Sequence, residues 1–430
     1  MSEKSSLKAP WMGHEALPGF YGNLSPIQEY RLKEAYLAMF VSAGIAPKSA
    51  KVGVPLPEAT EKHAKGGMFS FRSSPAPSTS EKFTVAELVA ELEHSIAPIK
   101  PNEVLAEFRR TCRMDNPDAL MLRFLRARKW ELKKGIDQFG RTLAWRKKRK
   151  IDEILERGEQ YYIDEEPDKP FILQFESGKV ALHGWDKQHR PLVYIHVKNH
   201  DPKAQPESAM EHFTLCVIEA ARMCLTGDVN TAVCVFDLSG FGLGNMDYSV
   251  VKFILTCFEQ YYPECLGSLF IHRAPWVFSS VWAIIKGWID PVVASKISFT
   301  KNEKDLIKFI DSDQIPKDMG GTSDFEYEYI RPKEGESRLV NDTDGRTKHW
   351  EVRDGLFEQL DAITLRWIEA TTQTESDEIA KERHTKIQEL CDQYWHLDPY
   401  VRARSIYDRN GTLGFFKPEL ASGGIAQPTL

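Results

Sequence analysis

The chain has 430 residues, 42% of them hydrophobic and 27% charged, with a formal net charge of -6, a balance that excludes a peptide, a disordered chain and a membrane-embedded one. At about 100–200 residues per domain, the length predicts two or three domains, each large enough to bury a core. No apolar run approaches the roughly 18 residues of a membrane span, and Met1-Ser2-Glu3-Lys4 does not open a secretory signal, so a cytoplasmic protein is expected. The seven cysteines form no Cys-x-x-Cys pair and no Cys/His zinc spacing, which predicts reduced thiols and no metal site. The acidic balance argues against nucleic acid as a partner. It conceals an asymmetry, because residues 101–150 carry fifteen Lys and Arg against six Asp and Glu, a local charge of +9 suited to phosphate.

Ser25-Pro26-Ile27-Gln28 predicts a helix start with a capping box, and the helix can run to Gly44. From Pro47 to Lys82 the composition turns to Pro, Gly, Ser and Lys, including Arg72-Ser73-Ser74-Pro75-Ala76-Pro77-Ser78-Thr79-Ser80, and this stretch (46–82) predicts a disordered insertion. Thr84-Val85-Ala86-Glu87 opens a second capped helix and Asn116-Pro117 a third, making residues 83–160 a small basic helical domain. Four β-branched or aromatic runs follow, Pro191–Lys198, Thr231–Leu238, Ser268–Ala274 and Ala294–Thr300. They alternate with the helical patterns Glu207–Thr226, Tyr248–Tyr262 and Trp276–Ile289. That alternation predicts an α/β domain over 161–325 with a mostly parallel sheet. Val233-Cys234-Val235-Phe236 is apolar on both faces, as a covered parallel strand requires. Residues 326–430 are acidic and helical, a C-terminal extension, and residues 1–82 hold the first helix and the insertion.

Catalytic motifs are missing. Gly240-Phe241-Gly242-Leu243-Gly244-Asn245 follows a strand, but a dinucleotide fingerprint needs glycine where Asn245 stands, and a plain turn is the simpler reading. There is no Walker loop, Gly-x-Ser-x-Gly elbow or His-Glu-x-x-His, so no enzyme is expected. His212 and His272 read as satisfied core or surface residues.

Two features are unusual. Ten of the fourteen residues of Trp276–Ile289 are apolar, and Trp276, Trp282 and Trp288, six apart, point in directions about 120° apart on a helix. Such a helix is either buried on every side or set between protein and lipid, as an interfacial helix or lid. In the basic domain, Met121, Leu125, Leu132, Ile136, Phe139 and Leu143 keep a helical rhythm that calls for an apolar residue at Arg128. Either a continuous helix aims a guanidinium at the core, where it needs an anion, or the helix breaks near Lys129-Trp130 and Arg128 is solvated.

Leu122-Arg123-Phe124-Leu125-Arg126-Ala127-Arg128-Lys129-Trp130 followed by Trp145-Arg146 resembles the N-terminal helical signature of the CRAL-TRIO family. Tyr261-Tyr262-Pro263-Glu264, Ala274-Pro275-Trp276, Asp290-Pro291-Val292, Ser295-Lys296-Ile297 and Met319-Gly320-Gly321 resemble its lipid-binding domain, in the same order. Gly22-Asn23-Leu24-Ser25 is similar to the start of the first helix in fungal phosphatidylinositol transfer proteins of this family. The insertion and the C-terminal extension mark a longer subfamily.

The resemblance implies an α/β lipid cage, preceded by the small all-helical domain and closed by an apolar gate helix. Trp276, Phe278, Val281, Trp282, Ile285, Trp288 and Ile289 fall on the gate and would meet acyl chains or the bilayer. It also implies a headgroup site for phosphatidylinositol at Arg128, Glu264 and Lys296, two cations for the phosphodiester and a carboxylate for inositol hydroxyls. Ala232 and Cys234 depart from the family prototype, which carries hydroxyl residues there for the phosphate of a choline lipid. They imply an apolar pocket floor. The expectation is a carrier that exchanges phosphatidylinositol between membranes, with no cofactor beyond the bound lipid. It would associate transiently with intracellular membranes such as the endoplasmic reticulum. The alternatives are a carrier or sensor of a nonpolar lipid such as a sterol precursor, an oxidoreductase built on the Gly240–Gly244 turn, and, for the C-terminal extension, a docking surface for a protein partner.

Overall fold

The computed structural model describes residues 17–57, 82–165, 170–225 and 229–416. Helices α1 (Pro26–Ser42), α2 (Val85–Ser95), α3 (Val104–Cys112), α4 (Pro117–Ala127), α5 (Leu132–Arg149), α6 (Ile151–Glu165) and α7 (Pro170–Glu176) come first. Strands β1 (Val180–Trp185) and β2 (Pro191–His196) lead into α8 (Glu207–Met223), β3 (Ala232–Asp237), α9 (Tyr248–Thr256) and β4 (Leu266–His272). After these come α10 (Phe278–Ile285), α11 (Pro291–Ala294), β5 (Ile297–Thr300), α12 (Glu303–Leu306), α13 (Thr343–Glu369) and α14 (Gln373–Val401). The chain divides into two compact units that interleave along the sequence: Ala16–Lys150 with Asp342–Asp398, and Ile151–Asn341 with the chain from Pro399 onward. The consecutive segments drawn from composition do not follow that division, since the C-terminal extension is shared between the units.

The first unit is helical, and its capping residues act as their chemistry dictates. Ser25 and Gln28 form a reciprocal capping box at α1, Thr84 and Glu87 do the same at α2, and the Asn116 side chain accepts from the Asp118 and Ala119 amides at α4. One core joins Phe40, Phe108, Phe124 and Phe139 to Phe357, Leu360, Trp367 and Leu390 of α13 and α14. The part of the expected disordered insertion that lies in residues 47–57 is instead placed. Val52 and Val54 are buried, and the Gly53 amide donates to the Ile368 carbonyl at 2.8 Å, because two valines and a free backbone edge gain burial and a partner on α13. The rest of that insertion, including Arg72–Ser80, lies outside the described residues.

No continuous helix carries Arg128. It is the C-cap of α4, with φ -100° and ψ 21°, and Lys129 and Trp130 follow at positive φ before α5 begins. The break is held by Trp130, which is buried and donates its amide to the Leu125 carbonyl at 2.7 Å. The apolar rhythm across the break therefore belongs to two helices, and half-buried Arg128 sits in the connection between them.

The second unit is built on a five-stranded sheet in the order β1-β2-β3-β4-β5, with β1 antiparallel and the rest parallel. Strands laid down in sequence with crossovers of one hand send every crossover helix to the same face. Strand periodicity then separates two apolar surfaces. Ala181, Leu192, Tyr194, Val233, Val235 and Phe270 pack on Leu306, Ile310, Ile315 and Met319 to form a closed core. The alternate residues, among them Val193, Cys234, Phe236 and Leu269, face α8, α9 and α10. Val233-Cys234-Val235-Phe236 is apolar throughout because one face is a core and the other lines a cavity. Sequence reading missed β1, where His183 and Gly184 interrupt the apolar run and the register shifts between Leu182 and Trp185.

Candidate functional site

The cavity lies wholly within the second unit, between the sheet and the crossover helices. Its water-accessible interior is about 260 Å³. Met210, Phe213 and Val217 of α8 and Val250, Ile254 and Leu255 of α9 form its helical wall. Hydrocarbon dominates the lining, so the space suits an apolar chain. Ala232 and Cys234 both line it, and burial pushes the Cys234 thiol up to about 12, leaving an inert small hydrophobe.

The Trp276–Ile289 segment forms one wall. Its helix is shorter than the sequence pattern suggests, Phe278–Ile285, because Pro275-Trp276 enters through a turn and Gly287 ends it before Asp290 and Pro291 start α11. Phe278, Trp282, Ile285 and Ile289 line the cavity, and Val281 is buried. Trp288 is half-buried, edge-on to Tyr248 at 5.7 Å and under the Lys252 ammonium. Trp276 is 88% exposed and Ile284 48% exposed on the outer side. Apolar residues all round the segment thus divide between an inner face on the cavity and an outer one on solvent, an arrangement that an ordinary core helix does not have.

Glu264 and Lys296 stand together at the N-terminal edge of the sheet. Each immediately precedes a lining residue, Cys265 and Ile297, and the Lys296 ammonium lies 4.0 Å from the Glu264 carboxylate. The Tyr261-Tyr262-Pro263-Glu264 run is locally distorted: α9 continues as a π-helical turn over Cys257–Tyr261, and Glu264 has φ 57°. Buried Tyr262 anchors it by donating to Glu219 of α8 at 2.8 Å, and Arg222 pairs with the same carboxylate at 3.3 Å. Arg222 also lines the cavity, a cation that sequence reading missed because it lies inside an apolar helical pattern. Arg128 belongs to the helical unit.

At the other end of the strands lies a polar cluster that sequence reading also missed. Asp237 closes β3 and is almost fully buried, accepting from Arg273 at 2.7 and 3.0 Å and from Ser239, with His196 at 3.6 Å. Burial alone would raise its pKa, but the hydrogen bonds from His196, Arg273 and Ser239 outweigh that and hold the carboxyl well below its usual range. The Gly240–Gly244 turn leads from β3 toward α9. Asn245 closes it, accepting from the Gly242 amide and donating to the His200 carbonyl.

Residues 175–321 match the CRAL/TRIO domain and residues 84–140 the CRAL/TRIO N-terminal domain. The phosphatidylinositol transfer protein CSR1 of Eremothecium gossypii is 35% identical over 94% of this chain and 100% of its own length. The chain belongs to the CRAL/TRIO family. The CRAL-TRIO domain-containing protein C3H8.02 of Schizosaccharomyces pombe is 39% identical over 70% of this chain and 66% of that protein, and the Sec14 cytosolic factor of the same yeast is 29% identical over 47% and 74%. The N-terminal CRAL/TRIO match begins at the Thr84 cap of α2. The CRAL/TRIO domain match ends at Gly321, where a Cβ would come within 2.0 Å of the Ile315 carbonyl oxygen, so the final glycine of Met319-Gly320-Gly321 is a packing requirement.

Proposed function

We propose that this chain binds one lipid in the cavity and exchanges it between membranes, with phosphatidylinositol as the preferred ligand and no bond made or broken. The observation that carries this reading is a hydrocarbon-lined cavity within the CRAL/TRIO domain, with the Glu264–Lys296 pair beside its lining at one sheet edge. Lys296 would meet the phosphodiester and Glu264 the inositol hydroxyls, charge-assisted contacts that the apolar walls cannot supply. The relative named a phosphatidylinositol transfer protein, matched over its full length, supports the same ligand. No helix among the described residues is long and apolar enough to cross a membrane. Access from a bilayer is assigned to the Trp276–Ile289 wall, which exposes Trp276 and Ile284 on its outer side. It would act as a gate during transient contact with an intracellular membrane.

Ala232 and Cys234 favour a second reading in which a nonpolar lipid occupies the cavity, since neither offers a phosphate a donor of any strength. Vesicle-to-vesicle transfer distinguishes the two. Transfer of labelled phosphatidylinositol well above that of phosphatidylcholine is the result expected here, and no transfer of either would overturn the first reading.

A further inference from the structure

Lys179 is buried at the end of the cavity opposite to Glu264 and Lys296. Because β1 is antiparallel, the residue before it lies level with the C-terminal end of β2, and the His196 amide donates to the Lys179 carbonyl at 2.8 Å. Glu264 and Lys296 sit at the N-terminal ends of β4 and β5, so the two polar ends are separated by about the length of a strand, roughly 20 Å. Lys179, His196, His200, Asn245 and Asp247 all line the cavity here.

The hydrogen bonding fixes what this cluster offers. The Lys179 ammonium donates to Gln174 Oε1 at 2.7 Å and meets His200 Nδ1 at 3.0 Å, while His200 Nε2 faces Asp247 Oδ2 at 3.3 Å. One tautomer satisfies all three contacts: neutral His200 accepting at Nδ1 and donating from Nε2. Burial and the neighbouring Lys179 charge lower the His200 pKa, in keeping with the neutral ring. An ammonium has three N–H donors. Among the described residues, the remaining contact of the third is the Met210 thioether at 4.0 Å, a weak acceptor on the cavity wall. Burial pulls Lys179 down to about 8, as expected of a cation facing hydrocarbon.

We infer that Lys179 forms a second polar subsite, which receives a neutral oxygen, a hydroxyl or carbonyl, borne on an otherwise apolar lipid. The inference rests on the lipid-carrier reading of the cavity and adds a class of ligand to it. A neutral oxygen fits better than a carboxylate because Asp247, with exposed Asp201 beyond it, already balances the lysine charge. A second anion in this apolar space would have no countercharge. A pure hydrocarbon, by contrast, leaves the third donor without a good acceptor.

The test uses the full chain and three probes of equal length, dodecane, dodecanol and dodecanoate, delivered from cyclodextrin and quantified by mass spectrometry after gel filtration. The wild-type protein should bind dodecanol at least tenfold more tightly than dodecane, and dodecanoate no more tightly than dodecanol. Lys179→Met should bring the alcohol and the alkane within about twofold. Equal wild-type binding of alcohol and alkane would overturn the subsite alone, and so would a preference that survives Lys179→Met or tighter binding of dodecanoate. Binding of none of the three would overturn the carrier reading together with it. The wild-type comparison decides the matter should Lys179→Met fail to fold.

Discussion

Lys296 holds its ammonium 4.0 Å from the Glu264 carboxylate, across the N-terminal ends of β4 and β5. Both side chains are about a quarter exposed, so as an ion pair they contribute about 0–1 kcal/mol to stability. Lys296→Ala and Glu264→Gln should each leave the melting temperature nearly unchanged and lower phosphatidylinositol transfer at least tenfold, about 1.4 kcal/mol of binding. Transfer that stays intact in both variants would remove them from the headgroup site.

Asp118 and Arg383 form a second relationship, one that decides the role of the C-terminal helices. Arg383 donates to both Asp118 oxygens at 2.7 and 2.8 Å and to Thr364 at 2.9 Å, while Tyr36 donates to Asp118 at 2.7 Å, all of it buried. Removing one partner of such a pair strands a charge, so Asp118→Asn should cost about 3–5 kcal/mol in chemical denaturation. Deleting residues 350–430 would also remove Phe357, Leu360, Trp367 and Leu390 from the helical core. The truncated chain should not fold. A soluble, cooperatively melting truncation would show that these helices are instead a detachable docking surface.

Acid should act through Asp237. Its folded pKa lies below the unfolded value of about 3.9, so the stability it contributes is fully present above that value and is lost as pH falls through the folded pKa. Asp237→Asn should cost about 3 kcal/mol at neutral pH and flatten the stability profile below about pH 4. Parallel acid profiles for the variant and the wild type would contradict this.

Trp276 tests the outer face of the proposed gate. At 88% exposure it contributes little to the fold, so Trp276→Ala should change stability by no more than about 0.5 kcal/mol. Vesicle co-sedimentation should fall several-fold, since an exposed indole gains most from an interface between water and lipid. Unchanged co-sedimentation would place membrane contact elsewhere.

What was legible in the sequence had a local cause. The caps at Ser25, Thr84 and Asn116 are set by side chains bonding within three residues, and the parallel strands by β-branched runs. β1 was lost to His183-Gly184, and the break after Arg128 depends on Trp130 finding a core from outside its own helix. The order of Val52 and Val54 depends on α13, more than 280 residues further along, which no local window contains. Glu264 and Lys296 are pointed to by the Tyr261-Tyr262-Pro263-Glu264 and Ser295-Lys296-Ile297 runs that resemble family motifs. Arg222 and Lys179 are not, because each becomes a cavity residue only once the crossover helices close over the sheet.

The most direct measurement is mass spectrometry of the lipid extracted from the purified full-length protein, since a ligand enclosed by α8, α9 and α10 should survive purification. Phosphatidylinositol is expected at close to one molecule per chain, lost in the Lys296→Ala variant. A nonpolar lipid alone, or no lipid at all, would contradict the proposed headgroup role of Glu264 and Lys296.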